Sequence, residues 1–428
     1  MTKYVSANQA LKVVRSNSRV YIQAAAATPS ILTKALSDRA SDLQNVEICH
    51  LHTEGAAPYA DVELADSFHV NSFFIGKNVR HTLAAGNGSY TPVFLSELPM
   101  LFKKNVLKLD YVLIHVSPPD NHGYCSLGVS VEATVAAIEM ATTVIAQVNP
   151  QMPRTFGDSV LHISRIDYLV DVDVPIFGHE ESAPTEIEKK IGLHVASLIE
   201  DKSTLQMGIG SIPNAVLSNL NNHKDLGLHT EMFSDGVIPL IENGIINCKY
   251  KGTGKGRALA TFLIGSQRLY NFVNDNPFIE MRESSFVNDT AVIRRNPRMV
   301  SINSAIEVDI TGQVCADSIG AKMYSGVGGQ MDFIRGAALS DGGKAIIALP
   351  SVTKTGESRI VPFLKQGAGV VTTRAHAQFI VTEYGIADLY GKSLKERIKS
   401  LVNIAHPNHQ ESVSKLYHDL LTAQVLGK

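Results

Sequence analysis

The stretch from Thr204 to Leu220 limits most strongly what this chain can fold into. Thr204–Met207 has the character of a short strand. Gly208-Ile209-Gly210-Ser211-Ile212-Pro213 follows at once, and Pro213–Leu220 starts a helix with proline near its first turn. The same style is read elsewhere. Arg19–Gln23, Val46–Leu51, Phe68–Ile75, Leu107–Val116 and Thr143–Val148 read as strands in the first half. Leu226–Glu231, Ala258–Ile264, Arg298–Val308 (as a strand pair or one bent strand), Lys344–Leu349, Gly369–Thr372 and Phe379–Thr382 read as strands in the second. Helical stretches lie between them, among them 7–17, 30–36, 131–141, 185–199, 236–243, 267–273, 330–338, 394–401 and 412–421. Strands alternating with helices predict an α/β fold, with mostly parallel sheets covered by helices.

At 428 residues the chain is too long for one ordinary core, so two domains are expected. The segment Val170–Pro184, rich in Asp, Glu and Pro, is taken as the link, giving domains 1–184 and 185–428. Charged residues make up 19% and the net charge is −2, with no long run of one sign. Neither a nucleic-acid footprint nor a membrane-surface patch follows from that. The opening MTKYVSANQALKVVRSNSRV has no apolar core, so no signal peptide is expected. No window holds ~18 uninterrupted apolar residues. Cys49, Cys125, Cys248 and Cys315 are far apart and form no CxxC, which reads as reduced thiols in a cytoplasmic protein.

Three stretches could carry chemistry. The Gly208 loop, between strand and helix, would offer backbone N–H groups to a phosphate or an oxyanion, or serve only as a tight turn. It is not a dinucleotide fingerprint, because Pro213 sits where the third glycine belongs. Glu231, in Leu226–Leu240 (LGLHTEMFSDGVIPL), falls at the carboxyl end of a strand, where open α/β sheets bind ligands. It is either a nucleophile or a solvated or capping carboxylate. Asp235 reads as a turn or cap residue. Gly326-Val327-Gly328-Gly329-Gln330 opens into a helix and would let a ligand approach the backbone, or form a bare left-handed turn. A carboxylate with two such loops suggests a nucleophile flanked by backbone donors.

Other features weigh less. Lys354 and Arg359 could hold phosphates or decorate a surface loop. His50-Leu51-His52 has the spacing of paired metal ligands on one strand face, but no distant set of His and Asp completes it, so no metal is expected. Lys251–Gly256 (KGTGKG) fails the spacing of a P-loop.

On these residues the chain resembles the acetyl-CoA hydrolase/transferase family, and within it the enzymes that act on short acids of the 4-hydroxybutyrate, acetate or butyrate type. The matching stretches are GIGSIPNAV (208–216), LGLHTEMFSDG (226–236), GVGGQMDFIRGAALS (326–340), ALPSVTKTGESRIVP (348–362), VTEYGIADLYGK (381–392) and IAHP (404–407). SPPDNHGYCSLG (117–128) and MPRTFGDS (152–159) also fit. The resemblance implies two open, mostly parallel α/β domains of the CoA-transferase type, with the active site at their interface and the catalytic glutamate and glycine loops in the second. It implies Glu231 as the catalytic residue. Gly208, Ile209, Gly210, Ser211 and Ile212, then Gly326, Gly328 and Gly329, with Lys354, would bind CoA. Gln23 stands where related enzymes carry a polar residue, often histidine, before the first small-residue loop, and Gln23 and Gln206 are taken as substrate-binding. The implied activity is transfer of CoA between a short acyl-CoA and a carboxylate through a glutamyl-CoA thioester. CoA is a substrate there, and no cofactor is needed. A homodimer or larger assembly is implied. The alternatives are an acyl-CoA hydrolase of the same family, a metal-dependent hydrolase using His50 and His52, and a CoA-binding protein without catalysis.

Overall fold

The computed structural model describes residues 3–179 and 183–415. The chain forms two compact units, and a single cut at 184 does not separate them. The first unit is Met1–Glu180 with Thr230–Ile238 and Arg257–Asp289. The second is Glu181–His229, Pro239–Gly256 and Thr290–Lys428. The expected boundary is therefore corrected: Glu231 belongs to the first unit, while the Gly208 and Gly326 loops belong to the second. Backbone pairing is the reason. Met232–Phe233 pairs in parallel with Phe262–Leu263, and Ile279–Met281 pairs with Phe156–Gly157. Such distant pairings leave no local trace in the sequence.

Among the described residues, the first unit holds a sheet of eight strands. Their order is Lys3–Tyr4, Tyr168–Asp171, Thr143–Val148, Tyr111–Val116, Arg19–Ile22, Val46–His50, Phe68–Ser72 and Gly88–Tyr90. Every neighbouring pair is parallel. The central strand Tyr111–Val116 is buried at all its positions, which is why it reads YVLIHV instead of alternating. Val20, Ile22, Ile48, Val70, Leu113 and Ile145 pack with Leu32 and Leu36 of the helix Ser30–Ser37 in one apolar cluster. Strands that follow Arg19–Ile22 in the chain add first to one side and then, from Tyr111 on, to the other. The order thus reverses between Arg19–Ile22 and Tyr111–Val116.

The second unit has a sheet in the order Gly227–Leu228, Thr204–Met207, Met299–Asn303, Lys344–Ala348, Phe379–Thr382 and Gly385–Asp388. It is parallel except for the closing hairpin. Its order reverses between Thr204–Met207 and Met299–Asn303. In open α/β sheets, ligands bind outside the carboxyl ends of the strands at such reversals.

Several expected elements differ in detail. Arg298–Val308 is two strands, Met299–Asn303 and Glu307–Asp309, in different sheets. Gly369–Thr372 makes only an isolated bridge, from Thr372 to Val314. Leu226–Glu231 is not one strand, since the strand Gly227–Leu228 ends at Leu228 and Met232–Phe233 lies in another sheet. The helix expected over 412–421 lies beyond the described residues from 416 on.

The helices Glu186–Ala196 and Ser211–Leu217 pack closely. Thr185 and Glu188 form a capping box at the start of the first, which buries Ile191, Gly192, Val195 and Ala196. A Cβ on Gly192 would lie 2.6 Å from the Ala215 carbonyl carbon. Alanine is favoured over glycine inside a helix by about 1 kcal/mol. A clash with backbone cannot be relieved by a side-chain rotation, so it outweighs that gain. Gly192→Ala is expected to lose about 1–3 kcal/mol of stability. A thermal melt at or above that of the parent chain would show that the helix pair has room to separate.

Candidate functional site

Glu231 lies in a bend between two short strands, partly exposed. Its backbone is held on both sides. The Glu231 carbonyl accepts from Thr261 N at 2.9 Å and Phe262 N at 3.2 Å, and Thr230 N donates to Leu259 O at 3.0 Å. The carboxylate is held as well: Asn288 Nδ2 donates to Glu231 Oε2 at 3.2 Å. Asn288 is fully buried. It ends the short helix Ser284–Val287, whose start is fixed by Asp158 Oδ2 accepting from Glu283 N at 2.9 Å and by Lys103 Nζ 3.0 Å from Glu283 Oε2. Ser284 N also donates to Glu132 O at 3.0 Å. A carboxylate fixed in this way keeps one orientation. Asp235 turns out structural. It accepts from the backbone and hydroxyl of Ser266, which in turn caps the helix Gln267–Val273.

The Gly208 loop lies at the reversal point of the second sheet. Gly208–Pro213, Ile302, Asn303, Ser304 and Ala348 line a cavity of about 260 Å³ at the carboxyl ends of three parallel strands. A Cβ on Gly208 or Gly210 would meet no atom within 4 Å, so both open into space. Gly210 sits at φ +113°, which an L side chain rarely adopts. Gln206, on the entering strand, is buried, and its Oε1 accepts from Asn303 Nδ2 at 3.0 Å. It therefore holds a cavity-lining residue in place. The Ser211 hydroxyl donates to Glu188.

Lys354, exposed at the tip of a turn, is brought toward this region. Burial alone would push the Glu188 carboxyl up. Hydrogen bonds from Ser211 and Thr185 and the charge of Lys354 overcome this and hold it below the usual range. The second glycine loop is connected too. Gly328 is at φ +55°, and the helix Gln330–Ala338 starts beyond it. Gln330 Nε2 donates to Ser304 O at 3.1 Å, fixing one wall of the cavity. Phe333, one turn on, stacks edgewise on His229 at 6.2 Å between ring centroids. Arg359 is half-buried, with Nη1 donating to Ala305 O at 3.3 Å, and serves the fold.

Gln23 follows the strand Arg19–Ile22 at the reversal point of the first sheet, but its side chain is fully buried and engaged. Nε2 donates to Leu127 O at 3.1 Å and Ser130 O at 2.7 Å, and Oε1 accepts from His115 N at 2.6 Å. The expectation that it touches substrate is corrected to a supporting role, since its amide already holds the chain segments around it. Beside it, the Glu132 carboxylate is fully buried and accepts from Tyr21 Oη at 2.7 Å and Ala24 N at 3.3 Å. Burial raises its pKa despite those bonds.

His50 and His52 sit among rings. His50 lies 5.8 Å from Tyr59, and His52 lies 6.0 Å from Phe74 and 5.5 Å from Phe262, centroid to centroid. Burial lowers both to about 4, so they are neutral at pH 7. Among the described residues, no group of three or more His, Cys, Asp or Glu could hold a metal ion. None of the described helices is long and apolar enough to cross a membrane.

Of the residues singled out in the sequence, the Gly208 loop lines the cavity, the Gly326 loop leads into the helix that fixes one of its walls, and Glu231 is held by Asn288. Sequence reasoning missed Asn288, Asn303 and Glu188. Asn288 carries no local signal, because it meets Glu231 across 57 residues. Glu188 was visible only as the third residue of a capping box.

Comparison with known proteins gives the family of the chain. Residues 1–176 match the acetyl-CoA hydrolase/transferase N-terminal domain, and residues 265–416 match the C-terminal domain. The succinyl-CoA:acetate/propanoyl-CoA:succinate CoA transferase of Fasciola hepatica is 49% identical, over 95% of this chain and 86% of its own. The 4-hydroxybutyrate coenzyme A transferase of Clostridium kluyveri is 48% identical, over 96% of each chain. The crystal structure of 4-hydroxybutyrate CoA-transferase from Porphyromonas gingivalis superposes with a TM-score of 0.84 at 39% identity, covering 97% of both chains. With both domains matched in order and relatives aligned over nearly all of its length, the chain belongs to the acetyl-CoA hydrolase/transferase family.

Proposed function

We propose that this protein transfers CoA between a short-chain acyl-CoA and a carboxylate of the 4-hydroxybutyrate, acetate or butyrate type, with Glu231 as covalent nucleophile. The observation that carries this is the restrained carboxylate, with Asn288 Nδ2 on Oε2 and the backbone carbonyl of the same residue tied to Thr261 and Phe262. The Glu231 carboxylate attacks the thioester carbonyl, the C–S bond breaks, and CoA leaves as thiolate from a mixed anhydride. The thiolate then attacks the glutamyl carbonyl, giving a glutamyl-CoA thioester and freeing the first acid. The acceptor carboxylate attacks that thioester and expels the thiolate. Attack of the thiolate on the new acyl carbonyl forms the product acyl-CoA and restores Glu231. Each step displaces one leaving group, so ping-pong kinetics are expected. No metal or redox cofactor enters this sequence.

The Gly208 and Gly326 loops are assigned to CoA, with Lys354 available to its phosphates. Backbone donors aimed at a developing oxyanion are worth about 3 kcal/mol each. The relatives named above are transferases, which supports an acid over water as the acceptor. Four buried cysteines without disulfides support a cytoplasmic setting.

The test is intact mass after incubation with butyryl-CoA alone, with and without borohydride, followed by peptide mapping. Borohydride reduces an enzyme-bound thioester to the alcohol. A mass loss mapped to the peptide that holds Glu231 is expected. An unmodified peptide with CoA still bound would overturn the covalent mechanism, and thioester loss without an acceptor acid would identify a hydrolase.

A further inference from the structure

Glu231 is restrained from two directions, and both lead back to Glu132. Thr261 N donates to the Glu231 carbonyl, and Thr261 O in turn accepts from Val131 N at 2.9 Å and Glu132 N at 3.4 Å. On the other side, Asn288 Nδ2 donates to the Glu231 carboxylate, Asn288 N donates to Ser284 O at 2.9 Å, and Ser284 N donates to Glu132 O at 3.0 Å. All of these residues lie in the first unit. Glu132, Thr261, Ser284 and Asn288 are fully buried. We infer that Glu132 is a positioning residue, which holds the Glu231 carboxylate in its reactive orientation by tying both restraints to the eight-stranded sheet. This rests on Glu231 as the nucleophile and adds the residue that aims it.

The tie is the Glu132 carboxylate. Its Oε1 accepts from Tyr21 Oη at 2.7 Å, Thr134 Oγ1 at 3.0 Å and Ala24 N at 3.3 Å. Its Oε2 accepts from Thr134 Oγ1 at 2.8 Å and Thr134 N at 3.3 Å. Tyr21 belongs to the strand Arg19–Ile22, and Ala24 lies in the loop after it, at the reversal point of the sheet. Gln23, between them, donates to Ser130 O, two residues before Glu132. Segment 130–132 is thus pinned to the sheet by side chains and to Thr261 and Ser284 by its backbone.

Fold stability alone gives little reason for a carboxylate here. Among the described residues its partners are neutral donors, and burying a carboxylate among neutral donors is less favourable than burying an apolar side chain of similar size. Hydrogen bonds fix direction as well as distance, which an apolar contact does not. A small displacement of a reacting group slows a reaction sharply, so such directional anchoring has its use beside a nucleophile.

Acid-quenched samples taken after mixing with saturating butyryl-CoA, read by intact mass, give the rate at which the glutamyl-CoA adduct forms and its final amount. Glu132→Gln turns one carboxylate oxygen into a donor that faces other donors. It is expected to lower the rate about tenfold, with the final amount of adduct and the CoA affinity, measured by calorimetric titration, unchanged. Tyr21→Phe keeps the ring that packs edgewise on Phe102 at 5.2 Å and removes one donor to Glu132. It should slow adduct formation about threefold, and it decides by itself if Glu132→Gln does not fold. A residue that serves only the fold would lower the final amount, along with the folded fraction, and leave the rate as in the parent. That result, or the parent rate in either folded variant, would overturn the positioning role while leaving Glu231 as the nucleophile. A parent chain that binds CoA and forms no adduct would overturn Glu231 as the nucleophile and the role of Glu132 with it.

Discussion

Glu231→Ala is expected to lower CoA transfer by about 10⁴-fold or more, the scale seen when a covalent nucleophile is removed. The fold should survive. What Glu231 gives the structure comes mainly from its backbone, whose carbonyl accepts from Thr261 and Phe262, and alanine keeps that carbonyl. The structural loss is the carboxylate that accepts from Asn288. Leaving that buried amide with one acceptor fewer costs about 1–3 kcal/mol. Glu231→Gln separates the two effects. Its amide oxygen can still accept from Asn288, so stability should return toward the parent, while the amide remains unable to displace thiolate. Steady-state transfer from butyryl-CoA to acetate, with thermal melts of both variants, checks this. Near-normal turnover in either variant would rule out Glu231 as the nucleophile. A shared collapse of activity and melting temperature in Glu231→Ala, with activity restored in Glu231→Gln, would assign the residue to the fold.

Local patterns were more legible in the sequence than the distant partners those patterns meet. A strand running through Gly208 and Gly210 into a helix is local, and the cavity lies where that pattern puts it. The same holds for Gly328 and the helix after it. The division into units was not legible. Residues 230–238 and 257–289 join the first unit through strand pairs with distant partners, and no local periodicity encodes a partner. Glu231, expected in the second domain, therefore lies in the first unit. Asn288 was invisible for the same reason. Gln23 shows the opposite failure. Its place at a strand end suggested a substrate contact, but whether an amide is free depends on what surrounds it, and Leu127, Ser130 and His115 take up this one.

Gly208→Val is expected to weaken CoA binding by about 100-fold, near 2.7 kcal/mol, with the melting temperature almost unchanged. Both halves of that expectation follow from the geometry. A Cβ on Gly208 meets nothing within 4 Å, and the residue is not among those with positive φ, so a side chain can be added without strain. The added methyl groups enter the space that the ligand would occupy. The other loop glycines cannot give so clean a result. Gly210 at φ +113° and Gly328 at φ +55° would strain any L side chain by about 1–2 kcal/mol, so lost binding there could reflect a distorted loop. Titration of CoA against the Gly208→Val and Gly208→Ala variants, with melts alongside, makes the distinction. A graded loss from Ala to Val at constant stability would show that the ligand comes within van der Waals reach of this backbone. Unchanged affinity in Gly208→Val would remove the loop from the CoA site, and the cavity at the carboxyl end of Thr204–Met207 would need another occupant.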